Sequence, residues 1–269
     1  MENTKKTVPE IIAMKKREEN IAALTAYDYL LGSILDQIGI DIILVGDSGA
    51  MVFAGHETTI PLTMDQQIYH CQCVRRGVQR ALLVADMPFL SFQVNPEMAL
   101  LNAGRFFKEA QVDAVKVEGG MELSETIKKI TGAGIPMMGH LGLTPQSIRK
   151  FGTYSVQGKN EKSARKLLED AIALEQAGVF AIVLEKIPIQ LAKEVTAKIS
   201  IPTIGIGAGP YCDGQILVTH DILGLYEKFK PKFVRRYAHL AEEIRTAGTN
   251  YIQDVKANKF PNDTESYTG

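Results

Sequence analysis

Five short apolar runs in this 269-residue chain each end in a group able to bind an ion, neutralise an anion or move a proton. They are IILVGDS with Asp47 and Ser48, LLVADMP with Asp86, AVKVEGG with Lys116 and Glu118, PMMGHLG with His140, and AIVLEKIP with Glu185. Taken singly, Asp47 and Asp86 read as turn or helix-cap residues. On neighbouring strands, with Glu118 on the next, they read as oxygen ligands for a hard divalent ion such as Mg2+, completed by substrate oxygens and water. Lys116 and Glu118 lie two apart on a strand and share a face. Inside a barrel mouth either charge is costly unless it pairs or binds something, and an internal salt bridge is the purely structural alternative. His140 suits a hydrogen bond to a substrate carboxylate or carbonyl, or a structural role closing its strand. Glu185 can aim at a pocket while Lys186 faces away, and it stands apart in sequence from the three ligand candidates. It is the candidate general base. Of the other histidines, His56 and His220 read as loop residues, and His70 and His239 as helix residues with packing or surface roles.

These groups need a scaffold that brings distant strand ends together. Apolar runs alternating with amphipathic stretches are the pattern of parallel strands in βα repeats, and a closed barrel of such repeats gathers its chemistry at the carboxyl ends of the strands. After an opening helix over 8–16, strands are predicted to begin near Ile21, Asp41, Ala81, Ala114, Pro136, Phe180, Thr203 and Gln215. Helices are predicted over 29–37, 64–80, 96–110, 122–131, 161–176, 190–198 and 232–247, with a short turn near Asp213. Eight units without a nucleotide fingerprint favour a (β/α)8 (TIM) barrel over an open doubly wound sheet. The GIGAG at Gly205–Gly209 has neither dinucleotide nor P-loop spacing, and its glycines read as a tight turn with close backbone approach.

Composition narrows the partners. The length suits a single domain, residues 1–269, with a polar tail over 258–269 expected to fray. A balance of 30 basic against 31 acidic residues gives a formal charge of −1 and no long-range attraction for nucleic acid or an anionic membrane. The run Lys228, Lys230, Lys232, Arg235 and Arg236 reads as the solvated face of a late helix. Three cysteines, Cys71, Cys73 and Cys212, match neither a disulfide framework nor a zinc spacing, which suits a reduced cytoplasmic protein. No signal peptide is expected, and no apolar run approaches the roughly 20 residues needed to span a bilayer.

The motifs also carry a resemblance. TAYD at Thr25–Asp28, VGDS at Val45–Ser48, IYH with VRRG ending at Gly77, ADMPF at Ala85–Phe89, and DAVKVEGG at Asp113–Gly120 resemble the ketopantoate (3-methyl-2-oxobutanoate) hydroxymethyltransferase family. So do MGHLGLTPQS at Met138–Ser147, VQGK at Val156–Lys159, the LE and P of Leu184–Pro188, and GIGAGPYCDGQILVTHDILGL at Gly205–Leu225. The resemblance implies a (β/α)8 barrel of the phosphoenolpyruvate/pyruvate-like type. It also implies Mg2+, or another divalent ion, held by Asp47, Asp86 and Glu118. A 2-oxo acid would be bound at Asp47, Ser48, Asp86, Lys116 and His140, with Glu185 as base. The implied reaction, part of pantothenate synthesis on the way to coenzyme A, uses 5,10-methylenetetrahydrofolate as co-substrate, and the implied assembly is a homodecamer built as a pentamer of dimers. The chain departs from the family pattern at Gly49-Ala50, at Leu90 where glycine is common, and at Lys186 where a small residue or cysteine is usual.

Three other functions compete at this stage. A folate-independent lyase of the same barrel type would use the same metal and carboxylates. A Schiff-base aldolase would use Lys116. A non-enzymatic scaffold would bind no small 2-oxo acid.

Overall fold

Glycine-bounded, β-branched runs buried on both faces become eight strands, each starting within one residue of its predicted position. The computed structural model describes residues 4–228, 230–267 and 269. The strands are β1 (Ile21–Thr25), β2 (Ile42–Val45), β3 (Leu82–Asp86), β4 (Ala114–Glu118), β5 (Met137–Gly142), β6 (Ala181–Glu185), β7 (Thr203–Ile206) and β8 (Gly214–Leu217). They pair in chain order, all parallel, and β1 closes on β8 from Ile21↔Gly214 to Leu24↔Leu217.

The helices follow their caps. They are α1 (Val8–Lys16), α2 (Tyr29–Gln37), α3 (Gly49–Val52), α4 (Met64–Gly77), α5 (Pro96–Ala110), α6 (Ser124–Gly132), α7 (Ile148–Phe151), α8 (Glu161–Ala177), α9 (Ile189–Lys198), α10 (Thr219–Ile222) and α11 (Leu240–Lys256). Asp28 caps α2 through Leu31 N, Asn95 precedes Pro96 and caps α5, and Thr63 with Gln66 forms a capping box on α4. The predicted α4 extends to Arg80, but the helix stops at Gly77. Val78 turns extended, and the buried Asp36 carboxylate of α2 accepts hydrogen bonds from the backbone N–H groups of Gln79, Arg80 and Ala81 at 3.1, 2.9 and 2.7 Å. That carboxylate substitutes for another helical turn and aims the chain into β3. No helix bridges β7 and β8; residues 207–213 make that crossover, with Gly207 and Gly209 at φ +63° and +86°.

Alternate strand residues point inward, and the sequence grades them from apolar to ionisable. Leu82 and Val84 precede Asp86; Ala114 precedes Lys116 and Glu118; Met138 precedes His140; Ala181 and Val183 precede Glu185. The apolar members of these rows fill the barrel together with Ile42, Leu44, Ile204 and Ile216. Helix α1 closes the amino end: Ile11 and Met14 join the same core, Lys6 N donates to Arg80 O before β3, and Lys15 Nζ donates to Ile201 O before β7. The odd members, such as Val115, Val117 and Ile182, pack against the surrounding helices. Among the described residues, the ionisable side chains inside the barrel therefore gather at its carboxyl end.

The chain divides into two compact units, up to Val218 and from Thr219 onward. In the second, the predicted helix over 232–247 is displaced to 240–256. Residues 231–238 instead fold back, with Val234 N donating to Pro231 O and Tyr237 N to Ile222 O. The basic residues of that stretch thus lie on irregular chain, not on a helix face, and His239 is the N-cap residue of α11 rather than a helix-interior residue. Beyond α11, Phe260 lies edge-on to Tyr251, and Asn262 caps a turn over Asp263–Glu265.

Candidate active site

The register of β3 to β6 builds the site from directly opposed residues. Asp86 is paired with Lys116, Glu118 with His140, and Gly142 with Glu185. Lys116 Nζ stands 2.6 Å from Asp86 Oδ1 and 3.2 Å from His140 Nδ1. The imidazole lies between two carboxylates: Nδ1 is 3.2 Å from Glu118 Oε1, and Nε2 is 3.2 Å from Glu185 Oε2. Asp47 enters from the β2 loop, and its backbone N–H donates to Asp86 Oδ2 at 2.9 Å. All six sequence-predicted ionisable groups thus meet at one mouth. Ser48 lies beside them, its hydroxyl 2.8 Å from the buried Tyr27 hydroxyl.

Burial and charge act in opposite directions here. Burial pushes the Asp47 carboxyl well above the usual range, aided by the neighbouring Asp86 and Glu118 charges. Burial also raises Asp86, against the opposing pull of Lys116. At Lys116 burial favours the neutral amine, but Asp86, Glu118 and Asp47 together outweigh it and hold the ammonium. The 2.6 Å contact between the two has the length of a charge-assisted bond. Burial and Lys116 work against His140, yet Glu118 and Glu185 raise it to about 9. Burial likewise works against the Glu118 charge, and His140 and Lys116 overcome it.

The donor set suits a hard cation even though it forms no finished cage. Among the described residues no group of three or more His, Cys, Asp or Glu side chains is disposed to hold a metal ion as it stands. Asp47, Asp86 and Glu118 nonetheless offer oxygen alone. Asp86 Oδ1 and Glu118 Oε1 are buried without a well-aligned hydrogen bond, their cationic neighbours standing at contact distance but off line. Four carboxyl groups also face two cationic side chains, and a dication among them would offset the burial and mutual repulsion that raise Asp47.

Other residues complete the site. Gln146, from the 3-10 turn Pro145–Ser147, reaches into the carboxylate cluster: its Nε2 donates to Asp47 Oδ2 at 3.0 Å and its backbone N–H to Glu118 Oε2 at 2.9 Å. In sequence it is only the third residue of a Thr-Pro helix start. His70, in α4 as predicted, is buried with Nδ1 2.8 Å from Tyr27 O, steadying the residue that touches Ser48. The glycines around His140 serve packing. A Cβ at Gly139 would lie 2.8 Å from Leu174 Cδ1, and one at Gly142, φ +94°, would lie 2.1 Å from Glu185 O. Gly142 thus lets β5 end directly against the backbone of Glu185. At two family departures the backbone is left-handed: Leu90 at φ +66° and Lys186 at φ +52°. Lys186 turns away from the mouth, and its ammonium donates to Tyr154 O. A cavity of about 400 Å3 opens beside Glu118 and Gln146, lined further by Phe89, Gln93, Thr144, Phe151 and Lys166.

A closed parallel barrel with acid, amine and imidazole groups on consecutive strand ends defines an enzyme of the (β/α)8 class working at its carboxyl-terminal face. The chain shares this fold with phosphonopyruvate hydrolase solved with oxalate and Mg2+ (TM-score 0.61, 13% identity, 97% of this chain and 92% of the other). It shares it also with 2,3-dimethylmalate lyase of the PEP mutase/isocitrate lyase superfamily (TM-score 0.59, 14% identity, 97% and 91%). Residues 5–263 match the family Ketopantoate hydroxymethyltransferase, and the chain belongs to that family. It is 56% identical over 265 residues to the 3-methyl-2-oxobutanoate hydroxymethyltransferase of Chlorobaculum tepidum, covering 97% of this chain and 96% of the relative. With the Flavobacterium johnsoniae protein of the same name it is 57% identical over 261 residues, covering 97% and 96%.

Proposed function

We propose that this chain transfers the one-carbon unit of 5,10-methylenetetrahydrofolate to 3-methyl-2-oxobutanoate, taking up water and giving tetrahydrofolate and 2-dehydropantoate. The observation that carries the reading is the Glu185–His140–Glu118 row beside the Lys116–Asp86 pair, set in a member of this family. Lys116 and His140 are cations in a buried mouth, able to neutralise the carboxylate and polarised keto oxygen of a 2-oxo acid; Ser48 adds a hydroxyl. Glu185, on the partly open rim of this mouth, takes the C3 proton. His140 stands beside that base, with Nε2 3.2 Å from Glu185 Oε2. Water releases the methylene carbon from the two folate nitrogens at the oxidation level of formaldehyde, leaving tetrahydrofolate. The enolate carbon attacks that carbon, and the oxygen on it takes up a proton to become the hydroxyl of 2-dehydropantoate.

Mg2+ would be held by Asp47, Asp86 and Glu118, where it supplies positive charge to the developing enolate oxygen. The cavity beside Glu118 and Gln146 is the berth we assign to the pterin end of the folate. Self-association into a homodecamer, a pentamer of dimers, belongs to the same reading. It is supported by the apolar row Leu30, Ile34 and Ile38, which α2 leaves 69%, 57% and 69% exposed. No helix among the described residues is long and apolar enough to cross a membrane. A cytoplasmic setting is supported by the unpaired Cys71, Cys73 and Cys212.

The test follows the C3 proton of 3-methyl-2-oxobutanoate by NMR in D2O, with and without Mg2+, before methylenetetrahydrofolate is added to the same sample. Metal-dependent exchange followed by 2-dehydropantoate supports the proposal. Exchange without transfer would assign the chain to a folate-independent lyase, and loss of both overturns the reading.

A further inference from the structure

We propose that Gln146 is a positioning residue that spans the acidic cluster and sets the spacing of the Asp47 and Glu118 carboxylates for a divalent ion. The inference rests on the metal-dependent reading above. Gln146 is 4% exposed, and both amide protons and one lone pair of its Oε1 are used inside the protein. Nε2 donates one proton to Asp47 Oδ2 at 3.0 Å and the other to Met87 O at 3.0 Å, immediately after β3. Its Oε1 accepts from Gln93 Nε2 at 3.2 Å. Its backbone N–H donates to Glu118 Oε2 at 2.9 Å. One residue therefore grips acids that enter from β2 and from β4, and ties both to the end of β3, which carries the third.

The orientation of the amide follows from its partners. A flipped amide would set Oε1 against the Met87 carbonyl oxygen, acceptor facing acceptor, so the donor side faces Met87 O and, with it, Asp47. The grip has a chemical consequence. Asp47 Oδ2 is committed to Gln146 and Glu118 Oε2 to its backbone, which leaves for an ion Asp47 Oδ1 and Glu118 Oε1, the latter approached by His140 Nδ1 at 3.2 Å without a well-aligned hydrogen bond. Without the side chain, Asp47 is free to rotate, and ion binding must then order it. Gln146 and Gln93 also line the 400 Å3 cavity, so the brace on the acids is built into the wall assigned to the second substrate.

The experiment titrates Mn2+ into the full-length wild type, Gln146→Ala and Gln146→Asn, following free Mn2+ by electron paramagnetic resonance, with melting temperatures in parallel. The backbone bond to Glu118 survives both substitutions, so they test the side-chain arm that joins Asp47 to Met87 O and Gln93; asparagine keeps the amide but shortens its reach. Loss of a group that orients metal ligands commonly costs about 10- to 100-fold in affinity. The expected result is a loss of that size in both variants with little change in melting temperature, and turnover that recovers as Mg2+ is raised. A purely structural role would give lowered melting temperature and turnover that extra Mg2+ does not restore. A Kd within threefold of the wild type in both variants overturns the proposal. Should both fail to fold, Gln93→Ala decides: severalfold weaker Mn2+ binding supports the brace, and unchanged binding overturns it. A wild type that neither binds Mn2+ nor exchanges the C3 proton would instead bring down the functional reading on which the inference stands.

Discussion

Lys116 and Asp86 face each other in direct register across the β3–β4 ladder, with Nζ 2.6 Å from Oδ1 and both side chains buried. Removing the ammonium alone leaves Asp86, Asp47 and Glu118 in mutual repulsion. Lys116→Met is therefore expected to lose turnover and to cost about 3–5 kcal/mol in urea denaturation, the usual penalty for a broken buried pair. The double variant Lys116→Met/Asp86→Leu should recover most of that stability and none of the activity. A double variant no more stable than the single one would show that the pair is not the source of the loss.

Glu185 is the carboxylate at the partly open rim, in contact with His140 but paired with no lysine in the mouth. Glu185→Gln should hold the 2-oxo acid within about threefold of wild-type affinity and slow C3 deuterium exchange by about 10²–10⁴, the range of a lost general base. NMR exchange rates beside calorimetric binding separate the two effects. Exchange at the wild-type rate would falsify the assignment of Glu185 as the base.

Leu90 occupies a left-handed position in the turn closed by Ser91 N donating to Pro88 O, and its side chain is mostly exposed. A side chain there carries a steric cost of about 1–2 kcal/mol, against which glycine costs about 0.5–1 kcal/mol in chain entropy. Leu90→Gly should stabilise the protein by about 0.5–1 kcal/mol in denaturant titrations, and Leu90→Ala should not. Equal stabilities for the two would mean that lost Leu90 contacts, not backbone conformation, govern the position.

Asp221, within the second unit, has its carboxyl pushed up to about 6 by burial, with Arg236 opposing the shift. Its folded form holds a proton that the unfolded chain has released above about pH 4, so the fold loses stability as the pH rises from about 4 to about 6. Asp221→Asn removes that dependence. Its melting temperature should exceed the wild type's at pH 7.5, and the gap should close by pH 4. A gap that stays constant with pH would rule out this titration.

The barrel is written in the sequence because a strand buried on both faces must be a short, unbroken apolar run, and eight such runs separated by capped helices leave few alternatives. The inward-facing site residues are legible for the same reason. With a period of two, Lys116 and Glu118 must share a face with Ala114, and the grading from apolar to ionisable marks which strand end is the mouth. The last helix is not legible in this way: its amphipathic period runs on into 231–238, where the chain turns back on itself through bonds to Pro231 and Ile222 that no periodic pattern records.

The sequence by itself therefore determined the family, the strand order and the cast of ionisable side chains. Tertiary structure decided which of them touch: that His140 sits between Glu118 and Glu185, that Lys116 pairs with Asp86, and that Gln146 reaches Asp47 from 99 residues away. Periodicity reports which way a side chain faces relative to its own strand or helix, a local property of the backbone. Contact between groups on different strands depends on register and barrel closure, set by the packing of the whole core at once.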